Sequence, residues 1–434
     1  MVRDRTGHAE VIAALRELQA RFPGLASIGR NAAHFVTGEW AEVLLRAIYA
    51  IAISRFLGPS DYGWWSYAFS VSAICINFAA MGSELLLPER IGKDREAALP
   101  FIETSFAVRL LLLSAFGVLM AGYALFGATE TMERLALLVL LPTVLFRGIS
   151  NWLRLAAIGF EQASLAMRPM VMVRAAELVL GIGLVLTGAN LLTLLALHGL
   201  SWLVEVAIIM PRIRKLALLQ LRIRRSELSD VVRKGAIIGV ASGLTFLLFA
   251  APLILLKHYS GDIAAVGQFG LAMQLSMFAV MALQGVLTAA QSVLSRAVAR
   301  EDERARYFGL LFLLGCIVLA VPAWFGARWL GVPVVTWLLG EQYRMAGELL
   351  PICLMLAISV LMANGYWQLL VIHGRIAAGA VVNLLSVLLL AGTAASMIAE
   401  YGAAGAAYAA ILAGLLRSVL LVIAGTLSGR QKST

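Results

Sequence analysis

Residues 41–80 read AEVLLRAIYAIAISRFLGPSDYGWWSYAFSVSAICINFAA, and in this stretch two apolar runs flank a polar turn between Gly58 and Gly63. A helix needs about 20 predominantly apolar residues to cross a bilayer. The runs on either side of the turn, at 32–54 and 64–85, both reach that length. This stretch therefore predicts two membrane-spanning helices joined by a short connection.

The same pattern continues along the chain and predicts twelve spans in all. The other ten lie at 102–126, 136–158, 168–187, 191–210, 236–256, 264–290, 307–329, 347–371, 376–397 and 403–425. Of the 434 residues, 61% are hydrophobic and 14% are charged, whereas soluble proteins are about a quarter charged. The connections are short, so no soluble domain is expected. We therefore predict an all-α polytopic membrane protein.

The distribution of basic residues predicts the orientation. Of the 35 lysines and arginines, 25 fall in the tails and loops of one side, and five fall on the other. Because cytoplasmic loops carry the excess of Lys and Arg, both termini are predicted to be cytoplasmic, in a bacterial inner membrane. The formal net charge of +10 is scattered between apolar spans, which argues against nucleic-acid binding.

The two halves of the chain resemble each other. Gly63 and Gly267 each follow a polar turn and precede an apolar residue and an alanine, and the sequence Leu-Leu-Pro occurs at both 140–142 and 349–351. Six spans per half give both halves the same orientation, so we predict two six-helix lobes related by a parallel pseudo-two-fold repeat. Such symmetry favours a substrate site between the lobes and alternating access by rocking.

These patterns divide the chain into five segments. Residues 1–30 have apolar residues at helical spacing between charged ones, which predicts an amphipathic helix on the cytoplasmic surface rather than a signal peptide. The N-lobe (helices 1–6), a basic cytoplasmic linker, the C-lobe (helices 7–12) and a cytoplasmic tail follow at 31–211, 212–235, 236–425 and 426–434.

Ionisable residues inside the spans are the candidate functional residues, because a charge at mid-bilayer costs about 2.5–3.5 kcal/mol. Arginines suit bidentate phosphate binding, and carboxylates could hold a coupling proton or sodium ion. In each case a structural ion pair is the alternative. The candidates for substrate binding are Arg46, Arg109, Arg147 and Arg174, and those for ion coupling are Glu39, Glu42 and Glu177.

The remaining polar residues suggest less. We expect Glu103, Glu205 and Arg417 to reach the cytoplasmic interface by snorkelling, while Arg154 is assigned to the region of the loop between helices 4 and 5. The three cysteines lie in apolar runs without metal-ligand spacing, so no metal or cofactor is expected.

Four stretches resemble a known family. Ser54 to Gly63, with the sequence SRFLGPSDYG, is similar to the turn after helix 1 of Wzx-type polysaccharide-biosynthesis flippases, which belong to the multidrug/oligosaccharidyl-lipid/polysaccharide exporter superfamily. Softer similarities lie at Val266 to Ala272, Leu339 to Ala346 and Ile372 to Arg375. The resemblance implies a two-lobed fold and a lipid-linked oligosaccharide on polyprenyl pyrophosphate as the substrate, and it assigns no site residue.

Two other functions remain open. An ion-coupled multidrug or metabolite antiporter would have the same fold, but a cation exporter should line its cavity with carboxylates rather than arginines. A membrane O-antigen polymerase or ligase would need a large external loop, whereas the longest one here spans only 330–346. No nucleotide-binding or hydrolase motif is present, so we expect a transporter rather than an enzyme.

Overall fold

A computed structural model describes residues 25–217, 220–278, 304–372 and 375–430, and every regular element in these ranges is a helix. The elements are α1 (Leu25–Phe78), α2 (Ser83–Lys93), α3 (Leu99–Phe126), α4 (Thr131–Gly159), α5 (Ser164–Leu186), α6 (Leu191–Arg214), α7 (Arg225–Ser260), α8 (Ile263–Phe278), α9 (Arg304–Leu339), a short 3-10 helix (Glu341–Tyr343), α10 (Arg344–Ile372) and α11 (Ile376–Arg430). Most of the predicted amphipathic segment at 1–30 lies outside the described residues.

Two of these helices are broken at a glycine. In α1, Gly58 has φ 75° and ψ 170° and is followed by Pro59, and in α11 Gly402 has φ 59° and ψ −131°. Positive φ is accessible to glycine without the steric cost that a Cβ brings, and the proline fits the first turn of the next helical segment. Both breaks fall between two predicted spans, so α1 and α11 each carry two apolar runs.

The all-helical membrane class is confirmed. By length and hydropathy, seven helices in the described part of the chain could cross a membrane, or eight if α1 and α2 count as one bent span. The count of twelve remains a prediction. The predicted span at 64–85 is not one straight helix, because α1 ends at Phe78 and α2 leaves it at an angle of 41°.

The helices pack in two groups that meet along α1 and α7. In the first group α4 packs against α1, α3 and α6, and α5 packs against α1; in the second, α11 packs against α7 and α10. The predicted 212–235 linker is helical from Arg225 onwards. There Asp230 of α7 pairs with Arg90 of α2 across the groups, and a hydrogen bond from Lys234 lowers the pKa of Asp230.

Candidate functional site

A cavity of about 500 Å³ lies between the two groups of helices. Among the described residues that line it, the charged ones are Arg46, Arg147, Arg174 and Glu177, and they lie together with His198 on the wall made by α1, α4, α5 and α6. The opposite wall, from α7, α8 and α10, is mostly apolar, and its polar side chains are the amides of Gln274 and Asn364. The apolar residues of that wall include Phe246, Phe249, Leu253, Met273, Met277 and Val360. The cavity is therefore amphipathic across its width.

Glu205 is the centre of an ion-pair network behind the charged wall, and its side chain is fully buried. Its Oε1 accepts hydrogen bonds from Arg154, at 2.9 Å from Nε and 2.5 Å from Nη2, and from Ser150. Its Oε2 accepts a bond of 2.9 Å from Nη2 of Arg174. One carboxylate on α6 thus fixes an arginine on α4 and another on α5.

The network extends onto α1 through Glu42. Oε2 of Glu42 lies 2.9 Å from Nη1 of Arg154, and Oε1 lies 2.8 Å from Nη2 of Arg46, one turn further along the same helix. Because each oxygen of Glu42 has a guanidinium partner, this carboxylate is held as part of the scaffold. It neutralises charge that would otherwise be buried at high cost.

A second carboxylate, Glu177, faces the cavity together with His198. Oε2 of Glu177 pairs with Arg174 and accepts a hydrogen bond of 2.9 Å from Ser201, while Oε1 lies 2.6 Å from Nδ1 of His198. Trp202 donates its indole N–H to Nε2 of His198 at 3.0 Å. Since Nε2 accepts this bond, the proton of the neutral imidazole resides on Nδ1, from which it is donated to Glu177.

Four arginines surround the indole of Trp202, which is fully buried. Their guanidinium carbons lie 4.0 Å from the ring centroid for Arg174, 5.3 Å for Arg46 and Arg154, and 5.4 Å for Arg147. Cations are attracted to the face of an indole within about 6 Å. Trp202 therefore helps to hold together a cluster that carries one more arginine than the three glutamates, Glu42, Glu177 and Glu205, paired within it.

Among the four arginines around Trp202, Arg147 has the fewest partners that neutralise its charge. It forms no ion pair among the described residues, its Nη1 is buried without a hydrogen-bond partner, and it stacks 4.9 Å from the centroid of Phe69. Its side chain is half-buried and lines the cavity. A guanidinium with unused donors at a cavity wall is suited to bind an anion.

The structure separates the candidates that the sequence placed together. Arg46, Arg147, Arg174 and Glu177 line the cavity. Glu42 lies behind them in the scaffold, and the half-buried Glu39 forms no ion pair among the described residues. Arg174 and Glu177 form an ion pair on α5, which was the alternative to separate roles in substrate binding and ion coupling.

Arg109 does not lie at this cavity, which corrects the expectation that it joins the other three arginines. Its Nη2 donates to the carbonyl oxygen of Gly148 at 3.1 Å, while Nε and Nη1 are buried without partners. It lines a separate small void beside Ser83 and Val231. This void is lined by α2, α3, the turn at Ala80 and Met81, and Val231 of α7, so Arg109 faces a different space from the cavity that Arg46, Arg147 and Arg174 line.

Two further expectations are wrong. Glu205 does not snorkel to the interface but is buried at the centre of the network, and Arg154 is not in a loop but is a buried residue of α4. A signal for Glu205 exists in the sequence, because Ser201 and Trp202 follow His198 by three and four residues, and Glu205 follows them by four and three. That spacing puts them on one face of an otherwise apolar helix.

The second group of helices has a smaller polar cluster around Arg417, which is also fully buried rather than at an interface. Its Nε donates to Oδ1 of Asn383 at 2.8 Å, and its Nη2 lies 3.3 Å from Oγ1 of Thr245. Both terminal nitrogens lie 3.4 Å from Oδ1 of Asn364, which lines the cavity.

The described residues contain no group of three or more His, Cys, Asp or Glu side chains that could hold a metal ion. Cys75 and Cys353 are buried free thiols.

The fold of this chain is similar to that of several solved transporter structures. The chain is similar to a multidrug resistance MATE family transporter of the MOP superfamily in an inward-facing conformation, with 18% identity, a TM-score of 0.67, and coverage of 90% of this chain and 94% of that one. A MOP superfamily transporter from Pyrococcus furiosus matches with 17% identity and a TM-score of 0.64, over 94% and 96% of the two chains. A Vibrio cholerae MATE transporter matches with 14% identity and a TM-score of 0.66, over 94% and 98%.

At these identities the similarity establishes the fold alone. A family model described as polysaccharide biosynthesis protein matches residues 28–298, which is more than half of the sequence. The chain belongs to the polysaccharide biosynthesis protein family. No curated protein matches it.

Proposed function

We propose that this protein is a flippase that moves a polyprenyl-pyrophosphate-linked oligosaccharide from the cytoplasmic to the periplasmic leaflet of the bacterial inner membrane. The observation that carries the proposal is the cavity between the lobes, which has a guanidinium-rich wall facing an apolar one. An amphiphile with an anionic head group matches both walls at once. Membership of the polysaccharide biosynthesis protein family supports a sugar-linked lipid as that amphiphile.

The charged wall suits a phosphate. Arg147 offers a guanidinium without a carboxylate partner, and Arg46 has a buried Nε without a hydrogen-bond partner. Charge-assisted bonds between arginine and phosphate are short and about twice as strong as neutral hydrogen bonds. A phosphate that enters the cavity accepts these hydrogen bonds. It also neutralises an arginine whose burial without a counter-ion is costly.

The size of the cavity sets what part of the substrate enters it. About 500 Å³ is typical of a small-molecule pocket, so it holds the pyrophosphate and neighbouring sugar while the polyprenyl chain stays in the bilayer. Trp65, Phe69 and Tyr49 line the same space, and aromatic rings of this kind can pack against a sugar.

Ion coupling is proposed to use Glu177. This carboxylate shares Arg174 with the cavity and is hydrogen-bonded to His198. A phosphate that binds Arg174 competes with Glu177 for the guanidinium, and the released carboxylate can then take up a proton or a sodium ion. Glu42, with both oxygens paired to arginines, and Glu39 are the other candidates on α1.

The proposal is tested by depleting the protein in its host and measuring where the lipid-linked oligosaccharide accumulates. We expect it to be trapped in the inner leaflet while glycosyl transfer onto the carrier continues. Normal surface polysaccharide in the depleted strain would contradict the proposal.

A cation-coupled drug antiporter is the second candidate, because structures of multidrug transporters share the fold and the apolar wall could accept an aromatic drug. The same depletion strain distinguishes the two, since the antiporter would change drug resistance and leave surface polysaccharide unaltered.

A further inference from the structure

Each lobe contains a buried polar cluster around an arginine, and the two clusters are built from helices that correspond in the predicted repeat. The N-lobe cluster is Glu42, Arg154, Arg174 and Glu205, from α1, α4, α5 and α6. The C-lobe cluster is Thr245, Asn364, Asn383 and Arg417, from α7, α10 and the two halves of α11. In the predicted repeat these are helices 1, 4, 5 and 6 and helices 7, 10, 11 and 12.

The two clusters differ in how their charge is balanced. In the N-lobe the carboxylates of Glu42 and Glu205 neutralise Arg154 and Arg174. In the C-lobe, Arg417 has only neutral partners among the described residues, and three of its four hydrogen bonds are 3.3 Å or longer. An unbalanced cation in a membrane interior is costly and usually marks a functional site. Arg417 is thus a buried cation without a counter-ion from the described protein.

The cavity can supply a counter-ion, because a partner of Arg417 lines it. Asn364 contacts both terminal nitrogens of Arg417 and also lines the cavity wall. Its bonds of 3.4 Å to the guanidinium are long for N–H···O hydrogen bonds, so a stronger acceptor can replace it at little cost. A charged phosphate oxygen is such an acceptor.

We propose that Arg417, reached through Asn364, is a second anion site on the C-lobe wall of the cavity. This inference rests on the flippase function proposed above. A substrate with two phosphates then bridges the cavity, with one phosphate on the N-lobe arginines around Arg147 and the other on Arg417. The C-lobe site makes the transporter prefer a diphosphate-linked over a monophosphate-linked polyprenyl carrier, because only the diphosphate supplies an anion to both walls.

The test measures binding of geranylgeranyl diphosphate and geranylgeranyl monophosphate to purified protein in detergent micelles, for example by microscale thermophoresis. We expect the unaltered protein to bind the diphosphate at least about tenfold more tightly, since one hydrogen-bonded charge contact contributes about that factor. In Arg417→Gln the diphosphate should bind as weakly as the monophosphate, and monophosphate affinity should stay unchanged. Arg147→Gln should instead weaken both ligands.

A matched pair of amide-to-acid variants tests the same site without replacing Arg417. Asn364→Asp places a carboxylate against Arg417 and should abolish the preference by occupying the site. Gln274→Glu adds the same charge to the same cavity wall, but Gln274 makes its described hydrogen bond to Tyr62 rather than to Arg417, so the preference should persist. If Arg417→Gln does not fold, as judged by thermal unfolding, this pair decides.

Three outcomes would overturn the inference while leaving the flippase function standing. The first is an undiminished diphosphate preference in both Arg417→Gln and Asn364→Asp. The second is an equal loss of that preference in Asn364→Asp and Gln274→Glu. The third is the absence of any preference in the unaltered protein. If the unaltered protein binds neither lipid, the proposed function fails and the inference fails with it.

Discussion

Gly63 of α1 and Gly267 of α8 lie against each other where the two lobes cross. A Cβ on Gly63 would collide with the carbonyl oxygen of Ile263, and one on Gly267 would collide with the carbonyl oxygen of Pro59. Gly63 and Gly267 are separated along the chain by the same number of residues as Pro59 and Ile263. The predicted repeat therefore relates the two members of each pair. Residues related by a two-fold axis touch one another only near that axis, so this crossing is where the axis of the predicted internal repeat would lie.

Alanine at either glycine should force the lobes apart. We expect Gly63→Ala and Gly267→Ala each to destabilise the protein by about 1–3 kcal/mol, the usual cost of overpacking, and to reduce transport. The measurement is thermal unfolding in detergent, together with surface polysaccharide in cells. Gly117→Ala is the matched control, because no atom lies within 4 Å of its would-be Cβ and alanine favours a helix interior. Equal stability of all three variants would contradict this packing.

Replacement of Glu205 should be among the most damaging single changes in the N-lobe. Glu205→Gln removes the shared counter-charge of Arg154 and Arg174, and breaking a buried ion pair costs about 3–5 kcal/mol. We expect a loss of folded protein in the membrane, measured by immunoblot and fluorescence-detected gel filtration. Glu39→Gln is the control, since Glu39 forms no ion pair among the described residues. Normal accumulation of Glu205→Gln would show that the network does not stabilise the fold.

The pairs within one helix were predictable from sequence, and the network was not. Spacings of three and four residues place Arg174 beside Glu177 and Arg46 beside Glu42, and both pairs are present in the structure. The contacts of Glu205 join α6 to α4 and α5. They depend on how those helices are rotated about their axes, which apolar periodicity alone does not determine because the spans are apolar on most sides.

Arg109 and Arg147 show the same limit. Both lie deep in a predicted span and have no carboxylate one turn away on their own helix. From the sequence they are therefore equally good candidates for lining the cavity. Packing separates them, because Arg147 faces the cavity and Arg109 faces a small void lined by α2, α3 and Val231 of α7. The all-helical membrane class, in contrast, follows from composition and span length, because the apolar interior and the thickness of the bilayer determine both.

The orientation of the chain can be tested independently of transport. Reporter fusions after Ser226 and Gln431 should be active as cytoplasmic fusions, and fusions after Asp61, Ser260 and Gln342 as periplasmic ones, because the basic loops stay inside. A periplasmic result at Ser226 would contradict the twelve-span prediction.

The most direct test of the anion cavity compares Arg147 with Arg109 in transport of a fluorescent polyprenyl-pyrophosphate-linked sugar across reconstituted proteoliposomes. We expect Arg147→Gln to abolish transport, and Arg147→Lys to retain part of it because lysine keeps the charge but lacks the planar fork. Arg109→Gln, a matched change at a buried arginine outside the cavity, should transport at the normal rate. Normal transport by Arg147→Gln at an unchanged protein level, or equal losses in Arg147→Gln and Arg109→Gln, would contradict a phosphate site on the N-lobe wall.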